Sequence, residues 1–266
     1  MKKIAVIGGG NMGFTYAASI YNSDLDAQIE IIENSQEKIE EINALQTIPA
    51  SSDYSVIKSA DVVFLAIKPQ VAHSVFEQVK HLLNPSQLVV SIMAGITIES
   101  MQEGLGLPKV VRAMPNLPAQ VKLGMTTYVA DPQVSEEELE FIAAILKSTG
   151  EVVAVPSESQ LDKSVGISGS GPGFVFYVME AMEKAAQQFG FSSDEAKKLV
   201  IKTLEGSVKL YEQNDISLTE WMDRVSSKGG ATIAGLNYFE SKEVSKELQN
   251  GIQVCVNRAV ELGAKK

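Results

Sequence analysis

Lys3-Ile4-Ala5-Val6-Ile7-Gly8-Gly9-Gly10-Asn11-Met12-Gly13 is the stretch that decides the fold. Lys3 to Ile7 is a short apolar, β-branched run that stops at glycine, the pattern of a buried parallel strand. A helix is expected from Asn11 to Tyr21. Between them stands Gly8-x-Gly10-x-x-Gly13. Gly8 permits a tight turn, Gly10 lets backbone approach a pyrophosphate, and Gly13 lets the helix pack on the strand. The free N–H groups at the helix start favour anions. A glycine-rich turn also occurs in sheets without a cofactor. The strand–loop–helix order is the context that gives this spacing a dinucleotide meaning.

Outward from the loop, strands and helices alternate. Strands are expected at Gln28–Ile32, Asp61–Ile67, Leu88–Ser91, from Val110, at Thr126–Val129 and at Glu151–Ala154. Helices are expected at Ser35–Leu45, Gln70–Leu83 and Ser135–Lys147. This alternation predicts an α/β fold, a Rossmann-type doubly wound parallel sheet covered on both faces, over residues 1–155. Residues 156–266 change character, with helical segments and no strand pattern. Ser192 and Glu195 have capping-box spacing before an apolar stripe at Ala196, Leu199, Val200, Thr203, Leu204 and Val208. Ser217 and Glu220 repeat that spacing. A last helix is expected from Val244 to Leu262, with Gly263 as its stop.

Composition narrows the class. The chain has 266 residues, enough for two domains, and 45% hydrophobic against 21% charged residues, a globular balance. A net charge of −10 argues against nucleic-acid or membrane-surface binding, which needs a basic face. Cys255 is the single cysteine, so no intrachain disulfide forms; a cytoplasmic location follows as an expectation. Its apolar helical setting reads as buried packing. No apolar run is long enough to span a membrane, and no metal site is expected.

Several positions carry chemistry. Glu33, followed by Asn34 and Ser35, ends the second strand about twenty residues beyond the loop, where a carboxylate suits a ribose with free hydroxyls; the alternative is a solvent-facing acid. Lys68, in Ala66-Ile67-Lys68-Pro69, lies beyond a strand's carboxyl end, where doubly wound sheets bind ligands. It faces a ligand there or is simply a solvated lysine. Asn116, in Arg112-Ala-Met-Pro-Asn-Leu-Pro118, presents an amide to a ligand or sits in a rigid connector. Gly166-Ile-Ser-Gly-Ser-Gly-Pro-Gly173 reads as a close helix contact, an oligomer interface or a seat for nicotinamide. Ser226-Ser-Lys-Gly-Gly-Ala-Thr-Ile233 offers bare N–H groups to an anion such as a carboxylate, or is an ordinary capped loop.

Five segments in order, residues 8–13, 66–69, 112–118, 168–172 and 226–236, together resemble the pyrroline-5-carboxylate reductase family nearly end to end. The resemblance implies an oxidoreductase that uses NADPH or NADH to reduce the C=N bond of 1-pyrroline-5-carboxylate, giving proline. It implies a homodimer paired through C-terminal helices, assembling further into a decamer. It implies a cofactor site of Ile7, Gly8, Gly9, Gly10, Asn11, Met12, Gly13, Glu33, Asn34, Ser35, Asp53, Ala66, Ile67, Lys68, Pro69, Met93 and Ala94. The substrate site it implies is Ser227, Gly230, Ala231, Thr232 and Asn116, with Thr232 beside the ring nitrogen as the catalytic residue. The sequence has only His73 and His81, outside the dense motifs. A cyclic imine protonated before reduction needs no strong acid, because hydride transfer then neutralises a cation.

Departures from the family matter. Lys228 stands where proline is common, and Gly173 where alanine is common. Glu33 and Asp53 stand where the family often has a serine or basic residue and an asparagine. Two carboxylates around one ribose would repel a 2′-phosphate, so NADH is expected to serve at least as well as NADPH. Two other readings stand beside the reductase. One is a related enzyme on another cyclic imine or a β-hydroxy acid, with Lys163 as its catalytic lysine. The other is a silent dinucleotide-binding regulator.

Overall fold

The computed structural model describes residues 1–264. Two compact units divide it, one of residues 1–172 with 255–264, the other of residues 173–254.

The first unit is built on an eight-stranded sheet. Its strands are β1 (Lys2–Ile7), β2 (Ala27–Ile32), β3 (Ala50–Ser51), β4 (Val62–Leu65), β5 (Leu88–Ser91), β6 (Val110–Met114), β7 (Gly124–Ala130) and β8 (Gly150–Ala154). Their order is β3-β2-β1-β4-β5-β6-β7-β8. Alternate residues divide the core. Ile4 and Val6 face one apolar cluster with Tyr16, Phe64 and Val90, while Ala5 and Ile7 face the other with Val63, Leu65 and Met101. Strands buried on both faces need such continuous apolar runs. Helices α1 (Asn11–Tyr21), α2 (Gln36–Ala44), α3 (Ala72–Val79), α4 (Ile98–Leu105) and α5 (Glu136–Lys147) accompany the strands. Tyr16, fully buried, keeps its hydroxyl satisfied against Thr126 Oγ1 at 3.0 Å, which ties α1 to β7.

The first unit departs from the sequence reading in several ways. The sheet is mixed, because β7 runs antiparallel to β6. The two strands are joined by a 3-10 turn, Leu117–Val121, and such a short return cannot hold the crossover that a parallel pair requires. Helix α4 went unread; Thr97 caps its start by accepting from Ser100 N–H, and Gly106 ends it at φ 70°. The expected boundary at 155 marks where strands give way to helices, but the first unit continues to Pro172. Arg112 explains the continuation. Buried on β6, it donates from Nη1 to Glu158 Oε1 (2.9 Å) and from Nη2 to Asp162 Oδ1 (2.5 Å) on α6 (Glu158–Ser164). Glu158 Oε1 also accepts from Ile98 N–H at the start of α4, and the Thr127 and Ser164 hydroxyls meet at 2.6 Å. A π-helical turn, Val165–Gly169, follows and belongs to the same unit.

The second unit is helical. It contains α7 (Gly171–Gln188) from Gly173 onward, α8 (Ser193–Glu212), α9 (Leu218–Arg224), α10 (Ala231–Ser241) and the start of α11 (Val244–Ala264). Helix α11 runs through Gly263 rather than stopping there. The capping box at Ser192 and Glu195 forms with both hydrogen bonds, and Ser217 accepts from Glu220 N–H. Among the described residues of this unit, Ala196 and Val200 are the only buried apolar side chains. Tyr177 is 71% and Phe189 79% exposed in the single chain, and Phe176, Tyr238 and Phe239 are exposed with them. A unit of this size cannot hold itself together on two small buried side chains, and exposed aromatic patches of this kind mark association surfaces. Among the described residues, no helix is long and apolar enough to cross a membrane.

Candidate active site

Strand order reverses direction between β1 and β4, and there the carboxyl ends of neighbouring strands open a crevice. The glycine loop fills its floor. Gly8 sits at φ +104°, a conformation L side chains rarely adopt, and a Cβ there would stand 2.6 Å from Ala66 O. Its N–H is held by Ile32 O, while Ala66 N–H donates to Ile7 O. Gly13 packs the first turn of α1 against the loop so closely that a Cβ would overlap Gly8 O. Gly10 is the N-cap of α1; no side chain caps the helix, and a Cβ at Gly10 would meet nothing within 4 Å. The loop is therefore rigid at its two ends and open in the middle. That is the form a pyrophosphate cradle needs, since bare N–H groups and open space coincide at Gly10.

A cavity of about 310 Å³ extends from this loop. It collects Ile7, Gly8, Gly10, Glu33, Asn34, Ala66, Ile67 and Lys68 of the expected residues. It adds Lys38, Tyr54, Val71, Ser74, Val75 and Gln78, which the sequence reading missed. Their only signal was position: Lys38 in the helix after Glu33, the others in turns and a helix beyond neighbouring strand ends.

Glu33 is bound into the loop. Its Oε2 accepts from Gly9 N–H at 2.8 Å, and its Oε1 accepts from Asn34 N–H at 2.8 Å and Ser35 N–H at 2.9 Å. Partial burial pushes its pKa up. The bonds from Ser35, Gly9 and Asn34, with the charge of Lys38, outweigh burial and hold the carboxyl below its ordinary value. The contribution to stability is therefore present above the ordinary carboxylate range and is lost as pH falls through the lowered pKa.

The other expected residues fall as follows. Asn11 and Met12 lie in the first turn of α1. Ser35 Oγ caps α2 by accepting from Lys38 N–H. Pro69 opens the 3-10 turn Pro69–Val71, with Lys68 as its N-cap. Met93 is buried after β5, and Ala94 is exposed beside it. Asp53 is not among the residues lining the cavity. Both its oxygens turn to Ser55, Oδ1 to the N–H at 2.8 Å and Oδ2 to the hydroxyl at 2.6 Å, which lowers its pKa on a fully exposed side chain. Asn116 braces the first unit: Oδ1 accepts from Met125 N–H, and Nδ2 donates to Ser168 O. Cys255 is half-buried and donates its thiol to Ser170 Oγ at 3.1 Å rather than only filling space.

In the helical unit, Gly229 at φ +75° turns the chain into α10, and Gly230 is the N-cap, with no side chain capping it. A Cβ at Gly230 would overlap Ser227 Oγ. Ala231 and Thr232 form the first turn, and the Thr232 side chain is exposed in the single chain. Lys163 is an exposed lysine on α6. Among the described residues, no group of three or more His, Cys, Asp or Glu side chains is placed to hold a metal.

Comparison with known proteins identifies this architecture. A family profile described as "Pyrroline-5-carboxylate reductase dimerisation" matches residues 158–262, and one described as "NADP oxidoreductase coenzyme F420-dependent" matches residues 3–95. The chain is 34% identical to a pyrroline-5-carboxylate reductase of Corynebacterium melassecola over 99% of both chains. It is 32% identical to that of Escherichia coli over 98% of both. The solved structure of a pyrroline-5-carboxylate reductase from Coxiella burnetii superimposes with a TM-score of 0.91 at 30% identity over 99% of both chains. A Plasmodium falciparum pyrroline carboxylate reductase with NADP bound superimposes at 0.89 and 26% identity, over 99% of this chain and 98% of that one. Matched end to end in sequence and in fold, the chain belongs to the pyrroline-5-carboxylate reductase family.

Proposed function

We propose that this chain reduces 1-pyrroline-5-carboxylate to L-proline with NAD(P)H. The observation that carries the residue assignments is the pairing, in one chain, of an open glycine cradle at Gly10 with an uncapped helix start at Gly230. The first suits a dinucleotide pyrophosphate. The second suits the substrate carboxylate, which would take the N–H groups of Ala231 and Thr232. Gly230 N–H is donated to Ser227 O at 2.9 Å, so Gly230 and Ser227 would shape the turn beside the carboxylate. Bound NAD(P)H supplies the hydride. Thr232 orients the ring nitrogen by a hydrogen bond and is the residue we assign as catalytic. The imine enters protonated, so no side chain has to deliver a strong acid. Asn116 acts here mainly through its bonds to Met125 and Ser168, which hold the turn after β6.

The active form in this proposal is a homodimer, with a decamer of five dimers as its further assembly. The exposed aromatic faces of the helical unit support pairing. A cytoplasmic enzyme without nucleic-acid or membrane partners completes the reading, supported by the net charge of −10 and the free Cys255.

The test follows NAD(P)H oxidation with 1-pyrroline-5-carboxylate beside other cyclic imines and β-hydroxy acids. The expected result is highest kcat/KM on the pyrroline. Thr232→Val should lower kcat/KM by about tenfold, the worth of one lost hydrogen bond of ~1.4 kcal/mol. Lys163→Ala should keep full activity. Turnover restricted to a β-hydroxy acid and lost in Lys163→Ala would replace the proposal with the dehydrogenase reading. No turnover on any of these would favour a binding regulator.

A further inference from the structure

We propose that Glu33, acting without Asp53, makes this chain select NADH over NADPH. The inference rests on the NAD(P)H reading of the glycine-loop cavity and assigns its discrimination to one side chain.

An acidic residue at the end of β2 discriminates only if its charge stays where the 2′-substituent of the adenine ribose arrives. A free glutamate on a strand end has three rotatable bonds and swings aside to admit a phosphate. Glu33 does not have that freedom. Its carboxylate accepts three backbone N–H groups at 2.8, 2.8 and 2.9 Å, from Gly9 inside the loop and from Asn34 and Ser35 beyond the strand. Moving it would strip charge-assisted bonds from the cradle itself. Gly9 is closely packed beside it: a Cβ there would lie 2.9 Å from Ile42 Cδ1, 3.2 Å from Ile31 Cγ2 and 3.3 Å from Glu33 Oε2. Glu33 lines the cavity with Gly8, Gly10, Lys38, Tyr54 and Lys68. A carboxylate has about four lone-pair sites. Three are committed to the backbone, which leaves acceptor capacity for a ribose hydroxyl donating an O–H. A 2′-phosphate brings no donor when ionised and meets a fixed like charge.

Two lysines argue the other way, because Lys38 and Lys68 line the cavity too. Lys38 already interacts electrostatically with Glu33, so a phosphate approaching it enters the field of the pair rather than that of a free cation. Asp53 is dismissed by its place: it is not part of the cavity wall, and its fully exposed carboxylate is turned to Ser55.

The experiment measures Kd for NADH and NADPH by titration of the purified full chain, with Glu33→Gln and Asp53→Asn beside the unsubstituted protein. The expected result is NADH binding at least tenfold tighter, a ratio that narrows at least tenfold in Glu33→Gln and does not change in Asp53→Asn. The unsubstituted protein gives a second readout that needs no variant to fold. AMP should compete for the site better than adenosine 2′,5′-bisphosphate, and the gap should shrink as salt rises, since repulsion is screened and hydrogen bonding is not. NADPH binding as tight as NADH would overturn the proposal while leaving the dinucleotide site standing. So would a ratio indifferent to Glu33→Gln or shifted by Asp53→Asn. Binding of neither dinucleotide would overturn the site reading and the proposal together.

Discussion

Gly13→Ala should lose dinucleotide binding and several kcal/mol of stability. The added methyl would overlap Gly8 O and press within 3.0 Å of Ala66 Cβ and 3.1 Å of Gly8 C. None of these neighbours is the loose end of a flexible side chain. Gly8 is held by its own bond to Ile32 O and by its close approach to Ala66, so the strain has to move α1 off the sheet. Overpacking of a tight site costs about 1–3 kcal/mol, and more where backbone must shift. Chemical denaturation would read the stability, and NADH titration the binding. Gly10→Ala is the informative contrast. A Cβ there meets nothing within 4 Å and the backbone is at φ −69°. Stability should stay within about 0.5 kcal/mol, while binding falls at least tenfold because the methyl occupies the space a pyrophosphate would use. Equal stability of Gly13→Ala and the unsubstituted protein would show that the loop does not pack as described. Unimpaired binding in Gly10→Ala would place the phosphates elsewhere.

Arg112→Met should be the most destabilising change of a charged residue. Arg112 is 2% exposed and joins β6 to Glu158 and Asp162, the first of which also bonds the start of α4. Removing the buried cation leaves two carboxylates, 30% and 24% exposed, only partly hydrated and without their partner, at a cost of about 1–3 kcal/mol. The loss should appear as a lower denaturation midpoint and as faster hydrogen exchange in α6 and the π turn, residues 158–169. Neutralising the whole network, with Arg112→Met, Glu158→Gln and Asp162→Asn together, should recover part of that loss, because no unpaired charge then remains. Arg112 Nε has no hydrogen-bond partner, so the network is not fully satisfied even in the native chain. If Arg112→Met alone were neutral, the attachment of α6 would have to come from apolar packing around Leu161.

The parts readable in advance were those that depend on local chemistry. Lys3–Ile7 had to be a buried strand because its apolar run has no polar face. The spacing Gly8, Gly10, Gly13 carries its own steric logic, and the Ser192–Glu195 box is complete within four residues. What escaped reading depends on distant partners. Helix α4 is a short element between Gly95 and Gly106, and its only strong signal is the Thr97 cap. The reversal of β7 follows from a turn after Asn116, whose amide is held by Met125 and by Ser168 from a later segment. The continuation of the first unit to Pro172 hangs on Arg112, which meets carboxylates far along the chain.

By itself, the sequence determined a glycine loop between a strand and a helix, a sheet half followed by a helical half, and the family. Periodicity, turn chemistry and motif order act over a few residues and survive without coordinates. Only the tertiary structure decided which of the two acids serves the loop. Glu33 and Asp53 look alike as isolated carboxylates, since a side chain's charge is legible but its direction is not. The backbone N–H groups of Gly9, Asn34 and Ser35 converge on Glu33, whereas Asp53 spends both oxygens on Ser55. That difference arises from strand packing that brings residue 9 beside residue 33, and no local pattern encodes it.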